Sequence, residues 1–169
     1  MLKHLIAASA ALLAAGCSEE SPTQQNEIVP ATLAAGQYQA SWKVSQLRSM
    51  DRTTPATNLK ETATGTTLGC VDAEGTIDPV LFAEDGDSCT ASNAYVRNGR
   101  ISFDLTCKRE GAEGEVRQSI NGTYTAKGFE AEVSTSTYLS ALGDYAMTRT
   151  FTGKRVGECP PAVAAENAI

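Results

Sequence analysis

The sequence predicts a mainly β protein: an antiparallel sheet of about seven strands, forming a sandwich or partly closed barrel, with two disulfides and at most one short helix. Three observations point there. Apolar and polar residues alternate with a period of two through several runs, glycine-bearing turns separate the runs, and four cysteines remain once an N-terminal leader and the cysteine that follows it are set aside. No segment beyond that leader carries a sustained helical repeat.

The leader comes first. Met1-Leu2-Lys3-His4 is a basic start, Leu5 to Ala15 is almost wholly apolar, and Ala14-Ala15-Gly16 places small residues before Cys17. This is the layout of a secretory signal, and its apolar run is shorter than the ~20 residues of a spanning helix. It resembles a lipobox, although Ala14 stands where Leu is commoner. The resemblance implies that residues 1–16 are cleaved as a signal peptide and that Cys17 is lipidated, holding the protein to a membrane. Ser18 after the cysteine, by resemblance to enterobacterial sorting, favours the outer membrane, facing the periplasm. Residues 17–35 then read as the lipidated cysteine and a flexible tether, with Ser-Glu-Glu-Ser-Pro and Thr-Gln-Gln-Asn-Glu and no aromatic residue. Such a tether spans about 25 Å by random-coil scaling.

The β domain is expected over residues 36–159, followed by a tail over 160–169. Tyr38, Ala40, Trp42 and Val44 share one strand face, as do Ile101, Phe103, Leu105 and Cys107; Phe129, Ala131 and Val133; and Met147, Arg149 and Phe151. Ser, Thr and charged residues fill the opposite faces. Asn98-Gly99 and Lys127-Gly128 supply hairpin turns, where Gly tolerates positive φ. Asp78-Pro79 can cap one helical turn over Val80-Leu81-Phe82, with Asp at the N-cap and Pro at the first position.

Cys70, Cys89, Cys107 and Cys159 form an even set in a chain expected to be exported, which favours two disulfides. Intervening lengths of 18, 17 and 51 residues contain no C-x-x-C pair for zinc. A three-residue loop Arg97-Asn98-Gly99 would pair Val96 with Arg100 and set Cys89 opposite Cys107, leaving Cys70 for Cys159. A two-residue loop would set Cys89 against Lys108 and need a bulge to bring the sulfurs together. The three-residue register is the expectation.

Composition excludes more than it assigns. The full chain carries a net charge of −6, and losing Lys3 with the leader leaves 13 basic against 20 acidic residues, or −7. That balance opposes a nucleic-acid partner. His4 is the one histidine and leaves with the leader, which removes Ser-His-Asp, Cys-His and histidine-metal chemistry. The acidic run Glu84-Asp85-Gly86-Asp87 fits no EF-hand and reads as a solvated loop. Glu130 and Glu132 sit opposite the core face. No catalytic, metal or cofactor residues are therefore expected, and the protein reads as non-enzymatic. Arg149 stands out because it shares the apolar face with Met147 and Phe151, where an unpaired charge is costly. It must reach the edge, find a partner, or line a cavity; Trp42, Phe103, Tyr124 and Phe151, with Tyr38 and Tyr138, could wall such a cavity.

Gly36-Gln37-Tyr38-Gln39-Ala40-Ser41-Trp42, the four domain cysteines, Phe103-Asp104-Leu105-Thr106-Cys107, the Tyr124 to Phe129 turn and Gly153-Lys154-Arg155-Val156-Gly157-Glu158-Cys159 together resemble the domain-of-unknown-function 3617 family. Val71-Asp72-Ala73-Glu74 departs from its usual sequence after the first domain cysteine. The resemblance implies a small exported bacterial β domain with two disulfides and transfers no catalytic residue. Two functions follow as expectations. The first is an envelope lipoprotein acting as a structural or interaction module; the second is a periplasm-facing binding protein for a small apolar or amphipathic ligand. No signal names a protein or lipid partner beyond the anchoring membrane.

Overall fold

The structure, a computed structural model, describes residues 29–161. The signal peptide, Cys17, the first part of the tether and the end of the tail lie outside the described residues. Seven strands follow in order: β1 (Gly36–Ser49), β2 (Thr64–Val71), β3 (Asp87–Arg97), β4 (Arg100–Arg109), β5 (Gly114–Thr125), β6 (Gly128–Leu139) and β7 (Tyr145–Gly157). They form one sheet in the order β2-β1-β7-β6-β5-β4-β3, antiparallel throughout, curled into a half-barrel. The period-two pattern sets the curl's inner face. Tyr38, Ala40, Val44, Phe103, Leu105, Phe129, Val133 and Phe151 are all buried there.

A half-barrel leaves its concave face open, and β2 and β3, at the two edges, do not pair with each other. The segment joining them fills the opening. Asp78 caps a single 3-10 turn over Pro79–Leu81, its carboxylate accepting from Val80 N at 3.0 Å, as the Asp-Pro pair predicts. The turn drives Leu81 and Phe82 into the concave face, where both are fully buried. The Phe82 ring lies 5.7 Å from Phe103, 5.7 Å from Phe129 and 5.1 Å from Phe151, centroid to centroid, within the range of favourable aromatic packing. Its backbone must be satisfied as well, because no strand pairs with it. Thr67 Oγ1 donates to Leu81 O at 2.8 Å, and the Arg149 guanidinium donates to Phe82 O.

The packed body reaches upstream of the Gly36 boundary read from sequence. Leu33 is 1% exposed, and Ala31 O accepts from Tyr124 Oη at 2.9 Å and from Asn98 N at 3.0 Å. Residues 31–35 are thus part of the domain rather than tether.

The two cysteine pairs are Cys70–Cys159 and Cys89–Cys107, with Cα atoms 5.8 and 3.9 Å apart. The register behind the second pair differs from expectation. Arg97 pairs with Arg100 across a two-residue Asn98-Gly99 turn in which both φ values are positive, 53° and 76°. That turn matches the right-handed twist of the flanking strands. A bulge then places Asn93 and Ala94 opposite Phe103, shifting the register by one so that Cys89 meets Cys107. Asn93, at φ 54°, holds the bulge by donating to Asp104 Oδ2 at 3.0 Å.

Beyond β1, Asp51 Oδ1 accepts from Thr53 Oγ1 at 2.7 Å and Thr53 N at 3.0 Å, while Oδ2 accepts from Asp144 N at 3.0 Å. This carboxylate joins the β1–β2 loop to the β6–β7 turn, and those hydrogen bonds, led by Thr53's hydroxyl, hold its pKa well below the usual value.

Two outcomes follow. Phe82→Ala should lower unfolding free energy by about 3–5 kcal/mol in urea titrations; a loss below about 1 kcal/mol would show that the interior closes without this ring. Because Asp51 has a depressed folded pKa, its contribution is present above its unfolded pKa near 3.8 and lost as pH falls through the folded value. The Tm gap between wild type and Asp51→Asn should therefore be constant above about pH 5 and shrink below it. A gap independent of pH would contradict this.

Candidate functional site

Where the connecting segment meets the sheet edge, a cleft of about 780 Å³ remains. Its walls come from β1, the loop after β1, β2, the connecting segment, the start of β3, β4 and β7, with Trp42, Leu59, Val80, Glu84, Arg109 and Arg149 among the lining residues. The size falls within the usual range for small-molecule sites. Trp42 can lie across β2 only because its cross-strand neighbour is Gly65. A Cβ there would sit 2.3 Å from Trp42 Cζ2.

One wall is a buried polar network. Arg109 grips Asp87 through two contacts, Nε to Oδ1 at 2.7 Å and Nη2 to Oδ2 at 2.9 Å, a bidentate pairing. Its Nη2 also reaches Glu84 Oε2 at 3.4 Å, and its Nη1 donates to Ala56 O. Glu84, 7% exposed, accepts from Thr57 Oγ1 at 2.9 Å and Tyr145 Oη at 2.7 Å. Asp87 holds the Arg109 pKa above its usual range. Burial, then the Glu84 carboxylate, pushes the Tyr145 phenol well up, so it remains a neutral donor to Glu84. Both carboxylates are committed to structure.

Arg149 forms the floor. It is 1% exposed, placed on β7 between Val44 of β1 and Val133 of β6. Its Nη2 donates to Phe82 O, and the Gln118 amide, oriented by its partners, accepts from the same nitrogen at 3.2 Å while donating to Phe82 O at 3.2 Å. The guanidinium carbon lies 5.1 Å from the Phe151 ring centroid and 5.8 Å from that of Trp42. Burial lowers its pKa, opposed mainly by the Glu84 charge. Among the described residues no carboxylate lies within 4 Å of it, and its Nε–H has no partner.

A model of the family described as "Protein of unknown function (DUF3617)" matches residues 33–159. The chain belongs to the DUF3617 family. The match begins at Leu33, the first buried residue upstream of β1, and ends at Cys159, partner of Cys70. No curated protein and no solved structure matches the chain. Within this DUF3617 domain, the residues that the sequence grouped around one cavity separate. Phe103, Tyr124 and Phe151 are buried in the packed core, as is Tyr38. Tyr138 lies on the convex face, 53% exposed, with Arg117 over its ring. Trp42 and Arg149 alone of that set line the cleft. The acidic run read as a solvated loop is split: Glu84 and Asp87 turn inward to Arg109, while Asp85 stays exposed at the cleft. Arg109 was not singled out from sequence, although it continues the inward alternation of Phe103, Leu105 and Cys107.

Arg109→Met should destabilise the domain by about 3 kcal/mol, the lower end for removing one partner of a buried pair, since the side chain is 16% exposed. Equilibrium unfolding checks this. Wild-type stability would show that Asp87 and Glu84 find other partners.

Proposed function

We propose that this DUF3617 protein is a non-catalytic, lipid-anchored module of the bacterial envelope that binds a small amphipathic ligand in the cleft beside Trp42. The observation that carries the binding reading is the pairing of an apolar wall, Trp42, Leu59 and Val80, with a buried cation, Arg149, at one concavity. Mostly apolar sites with a few fixed polar groups are the usual form of ligand pockets. The concave interior, by contrast, is filled by Phe82, so a ligand held between sheet faces has no room.

Envelope anchoring rests on the leader and Cys17, with Ser18 favouring the outer membrane. The non-catalytic reading rests on the loss of His4 with the leader and on the commitment of Glu84 and Asp87 to Arg109. The tether, shortened by the packing of residues 31–35, would hold the domain near the lipid surface without burying it there.

Native mass spectrometry of the full chain, extracted from its own membrane, tests both parts. The expected spectrum shows an acylated Cys17 N-terminus and a non-covalent small-molecule adduct that Trp42→Ala removes. Recovery of an intact, unacylated leader would overturn the anchoring. A spectrum without any adduct, or one whose adduct survives Trp42→Ala, would overturn binding in the cleft.

A further inference from the structure

We infer that the cleft selects a monocarboxylate amphiphile, with Arg149 receiving the carboxylate and Trp42, Leu59 and Val80 taking the apolar body. This inference rests on the reading of the cleft as a binding site and adds the chemical class of what fills it.

Charge distribution carries the argument. Two carboxylates and two guanidinium groups, Glu84, Asp87, Arg109 and Arg149, line the buried side of the cleft, and exposed Asp85 lines it as well. The cations and anions of that buried set are not matched pairwise. Both carboxylates gather on Arg109, at 3.4 Å for Glu84 and 2.7 Å for Asp87. Arg149 is left buried with no carboxylate within 4 Å among the described residues. A buried cation with no counter-ion in contact is expensive, and an unmade hydrogen bond from its Nε–H adds to that expense. An acceptor oxygen carrying negative charge answers both at once.

The guanidinium is also set in place. Nη2 is held by Phe82 O and Gln118, and the group lies against the rings of Trp42 and Phe151. Its orientation is fixed before any ligand arrives, which lowers the entropy lost on binding. Apolar surface is available beside it: Val80 is exposed despite lining the cleft, and Leu59 and Pro55 continue the wall. Exposed Asp85 at the same cleft disfavours a second negative charge. A carboxylate is therefore favoured over a phosphate monoester.

Trp42 is the chain's one tryptophan, so its fluorescence reports on the cleft without labelling. The full-length lipidated protein in phosphatidylcholine vesicles is titrated with octanoate, 1-octanol and octyl phosphate, correcting each for partition into empty vesicles. Octanoate should bind roughly tenfold or more tighter than octanol, the expected effect of one charge-assisted hydrogen bond. Arg149→Met, which replaces the charge by a side chain suited to an apolar site, should erase that preference. Equal affinity of octanoate and octanol for wild type would overturn the carboxylate inference while the cleft still binds. Tighter binding of octyl phosphate would overturn the monocarboxylate class. No fluorescence response to any of the three would overturn the cleft reading itself and this inference with it. The wild-type comparison decides the matter even if Arg149→Met fails to fold.

Discussion

The structure depends on Phe82 closing a sheet that cannot close itself. Seven antiparallel strands in one layer bury only what something else covers, and here no second sheet or long helix is present among the described residues. A three-residue turn carries Leu81 and Phe82 into the concavity instead. The ring reaches β4, β6 and β7 through Phe103, Phe129 and Phe151. Its carbonyl, stranded without a ladder partner, requires a donor from the sheet. Arg149 supplies such a donor, with the Gln118 amide beside it, and this gives a cation its place on an apolar face. The burial of Arg149 and the burial of Phe82 are therefore one arrangement seen from two sides.

Two covalent links bracket that arrangement. Cys70 is the penultimate residue of β2, just before the covering segment, and Cys89 is the third residue of β3, just after it. On a loop-entropy model the shorter link contributes about 3 kcal/mol and the longer between 4 and 5. Their placement matters as much as their size. Residues 71–88 are pinned at both ends, so the segment that fills the core is also the least able to leave it.

Much of this was legible because it is periodic or local. Strand alternation places Tyr38, Phe103, Phe129 and Phe151 inward, and Asp78-Pro79 marks the turn. What was not legible is where two local preferences compete. Asn98-Gly99 serves a two-residue or a three-residue loop, and the outcome depends on a bulge at Asn93 that no turn rule specifies. The polar network was closer to hand than the acidic run suggested. Setting Cys89 against Cys107 also sets Asp87 against Arg109 two residues further out, on the same inward face. A run of acidic residues conceals that pairing, since its composition resembles a solvated loop while its register does not. Arg149 is the converse: its oddity is visible in the sequence, but its carbonyl partner on Phe82 is distant in the chain.

The strand order has one more consequence. β1 lies between β2 and β7, so the first strand made has one neighbour close in sequence and its other neighbour is the last strand of all. A chain emerging N-terminus first exposes the inner face of β1, with Tyr38, Trp42 and Val44, until β7 arrives and Cys159 reaches Cys70. Native pairing of this kind, between distant ends, is slow to form and leaves apolar strands open to misassociation. The domain therefore waits on its final strand, and a truncation that removes β7 would abolish the fold rather than shorten it.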